Sequence, residues 1–174
     1  MLSDKRIEIA KRNVKMYEDE GLLKAAVPDK NILSFFMKNS KESLLVADFL
    51  SEKNMSPLWV IVCSYYSMYY MSNAVLYSMG YKVGHKISHK VTSDALIAFV
   101  RPALREKLIE DYEESMEEAL AGLKADELVE NFDFERMKRS LFQYEMGENI
   151  KKNKSQTSLK RAKEFIFEMQ KLIR

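Results

Sequence analysis

Apolar residues recur along this chain every three or four positions, the spacing that places them on one face of a helix. The first example runs from about Asp4 to Glu20, behind an N-cap at Ser3 or Asp4. Its apolar stripe consists of Ile7, Ala10, Val14 and Tyr17. Because no segment shows the sustained apolar and polar alternation of a half-buried strand, the pattern predicts an all-α fold.

The same reasoning predicts the later helices. They cover about 29–52, 57–80 and 88–100, then a segment that Pro102 opens, and finally about 127–150 and 157–173. Ser56 is the expected cap of the third helix and Pro57 its first residue. Glycines and prolines are few, five and three, and most are expected at breaks: Gly21, Pro28, Pro57, Gly80, Gly84, Pro102 and Gly122. We expect one domain, residues 1–174, built as an up-and-down bundle of four to five long helices plus short helices.

The third helix contains an uncharged stretch, SYYSMYYMSNAVLYSMG, from Ser64 to Gly80. The whole uncharged region, 54–81, is long enough to cross a bilayer. Tyrosines favour the headgroup level of a membrane, however, whereas here they lie in the middle of the stretch together with serines. We therefore interpret the stretch as a helix that is surrounded by protein.

Helical spacing divides this third helix into three faces. One face is apolar and contains Leu58, Val62, Tyr65, Tyr69 and Leu76. A second carries the small residues Cys63, Ser67, Ala74 and Ser78, against which another helix can approach closely. The third is an aromatic stripe with polar tips, made of Trp59, Tyr66, Tyr70, Asn73 and Tyr77. Core packing explains this stripe most simply, and stacking of a nucleobase on its tyrosines is the alternative.

Charge and cysteine content narrow the functional classes. Lysine plus arginine is 28 and aspartate plus glutamate is 26, so the formal net charge is only +2. Strong nonspecific nucleic-acid binding is not expected from this balance, although a local basic patch remains compatible with it. The single cysteine, Cys63, has no disulfide partner within the chain, and the N-terminal residues lack the apolar run of a signal peptide. Both observations predict a cytoplasmic protein.

Few residue patterns suggest chemistry directly. His85 and His89 are four residues apart, but the glycines at 80 and 84 favour a loop there, so no metal site is predicted and no cofactor is expected. Cys63 is interpreted as a small buried hydrophobic residue. The acidic run from Glu106 to Glu118 is interpreted as a solvated helix face.

One further segment, FERMKRSLFQYEMGENIKKNK, carries an arginine pattern. Its apolar stripe is Phe134, Met137, Leu141 and Tyr144. Arg136, Arg139 and Gln143 then fall together on a neighbouring face, where an arginine could bind a phosphate through two hydrogen bonds. An ordinary surface or interface arginine is the simpler alternative.

Taken together, these features resemble the HEPN family of α-helical domains, in particular a small prokaryotic branch whose third helix reads like AYYAMFHAARALLLSKG. The stretch from Ser64 to Gly80 matches it at Tyr65, Tyr66, Met68, Tyr69, Ala74, Leu76, Ser78 and Gly80. A histidine opens the next short helix of the family, and SHKVTSDALIAF places His89 and Phe99 similarly. RSLFQYE and LKRAKEFIFEMQKLI then put Arg139, Tyr144, Ala162 and Phe165 in the family's order. The resemblance extends from about Leu58 to the C-terminus.

The resemblance implies a helical domain that usually forms a dimer, in many members a ribonuclease toxin neutralised by a nucleotidyltransferase partner. The active motif of the family is an arginine, four residues and a histidine. Here the motif reads RxxxxY, because Tyr144 follows Arg139 at that spacing. Tyrosine, with a pKa near 10, is a poor general base at neutral pH. Metal-independent RNA cleavage would therefore need His89 or another residue as the base.

Two interpretations remain. In the first, a HEPN-like homodimer, one half of a toxin–antitoxin pair, binds RNA or a nucleotide in a cleft. Arg139, Tyr144 and His89 are its candidate catalytic residues, and Tyr66, Tyr70, Arg136 and Gln143 are its candidate ligand contacts. In the second, the chain is a noncatalytic helical dimerisation or interaction module with no nucleic-acid activity.

Overall fold

A computed structural model of the protein describes residues 2–130 and 148–173. Helices account for most of these residues, so the predicted all-α class is confirmed. The α-helices are α1 (Asp4–Asp19), α2 (Lys30–Glu52), α3 (Pro57–Ser78), α4 (Ser88–Ala95), α5 (Glu106–Glu130) and α6 (Glu148–Gln170). A π-helical turn, Leu96–Val100, and a 3-10 turn, Arg101–Ala103, connect α4 to α5.

The starts of the first three helices agree with the sequence prediction. Ser3 caps α1 by accepting a hydrogen bond from the Arg6 amide, and Asp29 caps α2 through the amides of Asn31 and Ile32. Pro57 is the first residue of α3. Ser56 does occupy the cap position, but its φ is 32° and its side chain forms no capping hydrogen bond within the described residues.

The predicted start at Pro102 is wrong. Pro102 lies in the 3-10 turn, and Leu104 after it is extended, with φ −124° and ψ 159°. The chain therefore changes direction before α5 begins at Glu106. The predicted helix at 88–100 is also α-helical only to Ala95 and then widens to π. A proline has no backbone N–H and disfavours helix in the residue before it, which explains why regular helix ends ahead of Pro102.

The predicted break at Gly122 is wrong as well. Helix α5 continues through this glycine to Glu130, so no new helix starts at 127. A Cβ atom at Gly122 would lie 2.4 Å from Leu58 Cδ1 of α3. The glycine therefore permits a close helix contact. Helix α6 is likewise continuous from Glu148, the first described residue after the gap, to Gln170, so the predicted break before Thr157 is wrong.

A small antiparallel ribbon was not predicted. Strand β1 (Leu23–Ala25) pairs with β2 (Tyr81–Val83), with Leu23 opposite Val83. Each strand follows a glycine of positive φ, Gly21 at 69° or Gly80 at 90°, that ends the preceding helix. Three residues are too few to show a strand's alternation in the sequence.

Helix α3 lies against α2, α5 and α6. Along α2 the contacts run in antiparallel order, since Ser40 Oγ donates to the Ser67 carbonyl at 2.8 Å and Ala47 packs with Val60. A chain of aromatic rings joins α3, α5 and α6: Tyr112 of α5 lies 5.8 Å from Tyr65 of α3, with the rings tilted, and 5.5 Å from Phe165 of α6, with the rings stacked. Helix α1 packs on α4 and the π turn. The middle of α3 is therefore the core of the fold, as interpreted from the sequence.

Within residues 2–130 and 148–173, no helix is long and apolar enough to cross a bilayer.

Candidate functional site

The structure separates the sequence-predicted site residues into two groups. Arg136, Arg139, Gln143 and Tyr144 lie outside the described residues. His89, Tyr66 and Tyr70 are described, and α3 and α4 bring all three into one continuous set of aromatic rings.

A groove runs along one face of α3. Its volume is about 370 Å³, and its lining consists of Ser43, Trp59, Val62, Cys63, Tyr66, Tyr70 and Leu123. Positions 59, 63, 66 and 70 recur at helical spacing and so lie on one face, with α2 on one side and α5 on the other. Trp59 is 46% exposed. We call these residues the aromatic groove.

The aromatic stripe on α3 therefore divides into two parts. Trp59, Tyr66 and Tyr70 face the groove, whereas Asn73 and Tyr77 are buried. The Tyr77 hydroxyl donates to the Val27 carbonyl at 3.2 Å, and the Asn73 amide donates to the Tyr69 carbonyl at 2.9 Å. Core packing is thus the correct interpretation for Asn73 and Tyr77, and Tyr66 also packs against the core at its edge while it lines the groove.

His89 adds a further ring to this aromatic set and contacts Tyr66, which lines the groove. The ring of His89 lies 5.7 Å from Tyr66 at 87°, edge to face, and 4.6 Å from Tyr69. His89 Nδ1 and the Tyr65 hydroxyl share a hydrogen bond of 2.7 Å. Tyr66 in turn lies 6.2 Å from Tyr70. These separations are typical of favourable aromatic pairs, so the rings hold one another in place.

Burial keeps the groove uncharged near neutral pH. It lowers the pKa of His89, so the imidazole is neutral. Burial is also the main cause that raises the pKa of Tyr66, with the neighbouring tyrosines adding to it, and burial raises the pKa of the Cys63 thiol. Cys63 is only partly buried at the groove wall, so its interpretation as a core residue is corrected. A neutral imidazole can accept a proton, whereas a protonated thiol is a weak nucleophile.

The described residues leave the hydroxyl groups of the two groove tyrosines unpaired. Neither the Tyr66 nor the Tyr70 hydroxyl forms a hydrogen bond with another residue in the described part of the chain. The groove therefore offers partly exposed ring faces together with uncharged hydrogen-bonding groups. Such a surface is suited to stacking a flat, polar ring.

Sequence reasoning missed a second polar cluster, between α1, α4 and α5. Arg6 donates to Asp94 Oδ1 at 2.7 Å and to Glu113 Oε1 at 2.6 Å. Asn13 and Tyr17 donate to Asp94 Oδ2, both at 2.9 Å. Asp94 is only 1% exposed. We call these five residues the arginine cluster, and its internal pairing indicates a structural role.

The acidic run on α5 is therefore only partly a solvated face. Glu113 belongs to the arginine cluster, and Arg161 of α6 contacts Asp111 at 3.1 Å. Burial raises the pKa of Asp111, and the charge of Arg161 opposes that shift. No sequence pattern links these partners, because they come from helices far apart along the chain.

No group of three or more histidine, cysteine, aspartate or glutamate side chains among the described residues could hold a metal ion.

Comparison of the chain with protein-family models, with curated proteins and with solved structures finds no match.

Proposed function

We propose that this protein is a HEPN-like domain that binds RNA or a nucleotide by stacking a base in the aromatic groove. The observation that carries the proposal is the row of partly exposed rings, Trp59, Tyr66 and Tyr70, around a groove whose two tyrosine hydroxyls have no hydrogen-bond partner among the described residues. Stacking on aromatic side chains contributes about 1–3 kcal/mol per base and tolerates every base.

The resemblance supplies the rest of the proposed site. Arg139 is the expected phosphate ligand, with Arg136 and Gln143 beside it, and Tyr144 replaces the histidine of the family motif. His89 is the neutral imidazole nearest the groove rings and is the proposed base if RNA is cleaved. The toxin–antitoxin role and the nucleotidyltransferase partner follow from the resemblance alone.

Binding is tested with single-stranded RNA and matched leucine variants. Tyr66→Leu and Tyr70→Leu should each weaken affinity by about tenfold, because each removes a ring face. Phe167→Leu is the control, since Phe167 is an exposed aromatic residue on α6 that does not line the groove. Equal affinities for all four proteins, measured by fluorescence anisotropy, would contradict the proposal.

The phosphate contact proposed for Arg139 needs its own experiment. Arg139→Ala should lower RNA affinity and reduce the salt dependence of binding, because one phosphate contact is lost. If RNA affinity and any growth toxicity are both unchanged, Arg139 has no role. Co-purification of a nucleotidyltransferase with the tagged chain from its native host tests the proposed partner.

A second candidate, a dimerisation module, is favoured by the outer face of α2. Four large apolar side chains there are about half exposed: Phe35, Leu45, Val46 and Phe49. Lys38 and Glu42, 3.7 Å apart, lie on the same face. In an antiparallel pair of α2 helices with a two-fold axis near residue 40, Lys38 would face the second copy's Glu42, and Phe35 would face its Leu45. The face is therefore self-complementary in both charge and hydrophobicity.

Sedimentation tests this second candidate. Phe49→Glu should dissociate the homodimer, because it places a charge within the apolar contact. Lys38→Glu should weaken the dimer and Lys38→Glu with Glu42→Lys should restore it, whereas Lys11→Glu on exposed α1 should have no effect. A monomeric wild-type protein at high concentration would rule this candidate out.

A further inference from the structure

Two segments of the chain carry lysines without any acidic residue. Residues 21–28 and 79–93 contain Lys24, Lys82, Lys86 and Lys90 but no aspartate or glutamate. All four of these side chains are exposed. The whole chain is nearly balanced, with 28 lysines and arginines against 26 aspartates and glutamates, so the two segments depart from its average charge.

The β1–β2 ribbon brings the two segments together. Its register places Lys24 of β1 directly opposite Lys82 of β2. Opposite residues of antiparallel strands lie on one face with Cβ atoms about 4.5–5.5 Å apart, and like charges at this spacing destabilise the pair. The exposed face of the ribbon therefore carries two adjacent positive charges. We call Lys24, Lys82, Lys86 and Lys90 the lysine patch.

The lysine patch differs from other exposed lysines in how its charge is balanced. Elsewhere, lysines form ion pairs with carboxylates: Lys11 with Glu8, Lys38 with Glu42, Lys163 with Asp48 and Lys171 with Glu168. No lysine of the patch forms an ion pair with any residue in 2–130 or 148–173, although Asp19 and Glu20 precede the first segment. Asp29 and Asp94, which follow the two segments, already serve the α2 cap and the arginine cluster.

The second segment runs back along α3 toward the aromatic groove. Strand β2 follows directly after the end of α3 at Ser78. The ring of His89, however, lies 4.6 Å from that of Tyr69, which is about 13 Å back along the α3 axis from Ser78. The chain between β2 and His89 must therefore return along α3, and it carries Lys82 and Lys86, with Lys90 next to His89. Because His89 also contacts Tyr66, the lysine patch extends from the ribbon to the edge of the groove.

We propose that the lysine patch binds the phosphate backbone of a single-stranded RNA, one of whose bases is stacked in the aromatic groove; this inference rests on the proposed function. The groove lining contains no lysine, arginine, aspartate or glutamate, so it can hold a base but cannot neutralise the phosphates on either side of it. Lysine ammonium groups bind phosphates as point charges, and the counterions that they displace supply affinity. Continuity with the groove favours RNA over an anionic membrane, because a membrane would give the groove no role.

The salt dependence of RNA binding tests the patch directly. Fluorescence anisotropy with a short single-stranded RNA gives the slope of log affinity against log salt concentration. The double variant Lys24→Gln with Lys82→Gln should reduce the magnitude of this slope by about 1.4, because each phosphate contact to a single strand contributes about 0.7. Lys163→Gln with Lys171→Gln is the control, since it changes the net charge equally but removes lysines that are paired with carboxylates. Equal slopes for the two double variants would overturn the proposal.

The single variant Lys82→Glu separates a binding role from a structural one. It turns the repulsive pair with Lys24 into an attractive one, so the folding equilibrium constant should rise about twofold while RNA affinity falls. Unfolding cannot produce such opposite changes. A loss of stability together with RNA affinity would overturn the proposal.

A mononucleotide and lipid vesicles distinguish the possible failures. Quenching of Trp59 fluorescence by a mononucleotide should be the same in Lys24→Gln with Lys82→Gln as in the wild type, because one nucleotide in the groove does not reach the ribbon. An unaltered RNA salt slope with mononucleotide binding retained would overturn the patch alone, whereas absence of all RNA and mononucleotide binding would overturn the groove as well. Binding of phosphatidylserine vesicles in place of RNA would assign the lysines to a membrane surface and also overturn the proposal.

Discussion

The arginine cluster and the aromatic groove are both polar features of one helical core, yet they differ in how their polar atoms are used. In the cluster, the carboxylate of Asp94 receives hydrogen bonds from Arg6, Asn13 and Tyr17. In the groove, the hydroxyls of Tyr66 and Tyr70 have no bonds to other described residues. Polar groups that are satisfied internally stabilise a fold, whereas available ones can bind a ligand. The comparison therefore favours a structural role for the first region, and it is the reason that we propose recognition for the second.

The largest expected effect comes from Arg6→Met. This change leaves the buried Asp94 carboxylate without its cation, and removal of one partner of a buried pair costs about 3 kcal/mol of the free energy of unfolding. Denaturant unfolding measures the loss. Lys11→Met on the same helix is the control, because its pair with Glu8 is exposed and should contribute little. RNA affinity of folded Arg6→Met should equal that of the wild type. A variant that lost binding but not stability would reverse the assignment of the two regions.

A matched pair of tyrosines sharpens the comparison. Tyr17→Phe removes a hydroxyl that donates to a buried carboxylate, so it should cost about 2 kcal/mol of the free energy of unfolding. Tyr70→Phe removes a hydroxyl that has no hydrogen-bond partner in the described part of the chain, and it should leave stability unchanged within about 0.5 kcal/mol. The same denaturant titration measures both. Equal losses would show that the groove tyrosine is as firmly tied into the fold as Tyr17.

A smaller effect is expected from pH. Burial lowers the pKa of His89 in the folded protein, so below about pH 6.5 the unfolded chain binds a proton more readily than the folded one. The stability contributed by neutral His89 is present above that pH and falls as the solution is acidified. His89→Gln should lose less stability than the wild type between pH 7 and 5, whereas His85→Gln, at an exposed position, should follow the wild type. Thermal unfolding measures this loss. If the melting temperatures of the wild type and of His89→Gln fell equally between pH 7 and 5, the prediction would be contradicted.

The sequence predicted what depends on local periodicity. The helices α1 to α3 and their starts follow from apolar spacing and capping residues such as Asp29 and Pro57. Gly122 was misinterpreted because its reason is a contact with Leu58 on another helix, and no local pattern reports such a contact. The β1–β2 ribbon is too short for its alternation to be visible.

The candidate site shows the same limit. The spacing of Trp59, Tyr66 and Tyr70 placed them on one face correctly, but spacing could not reveal that Tyr77 is covered by the segment before α2. The link between His89 and Tyr65 crosses from α4 to α3, so it follows from tertiary packing alone. The arginine cluster joins residues 6, 94 and 113, which no sequence window contains together.

The central claim, that the groove stacks a base, can be measured through Trp59, the only tryptophan of the chain. Titration of the wild-type protein with a short single-stranded RNA, and separately with a mononucleotide, should quench tryptophan fluorescence to saturation, because a base would lie against the groove rings. The quenching should weaken in Tyr66→Leu, which keeps the tryptophan. RNA binding detected by anisotropy without any change in Trp59 emission, or no binding of either probe, would contradict the account.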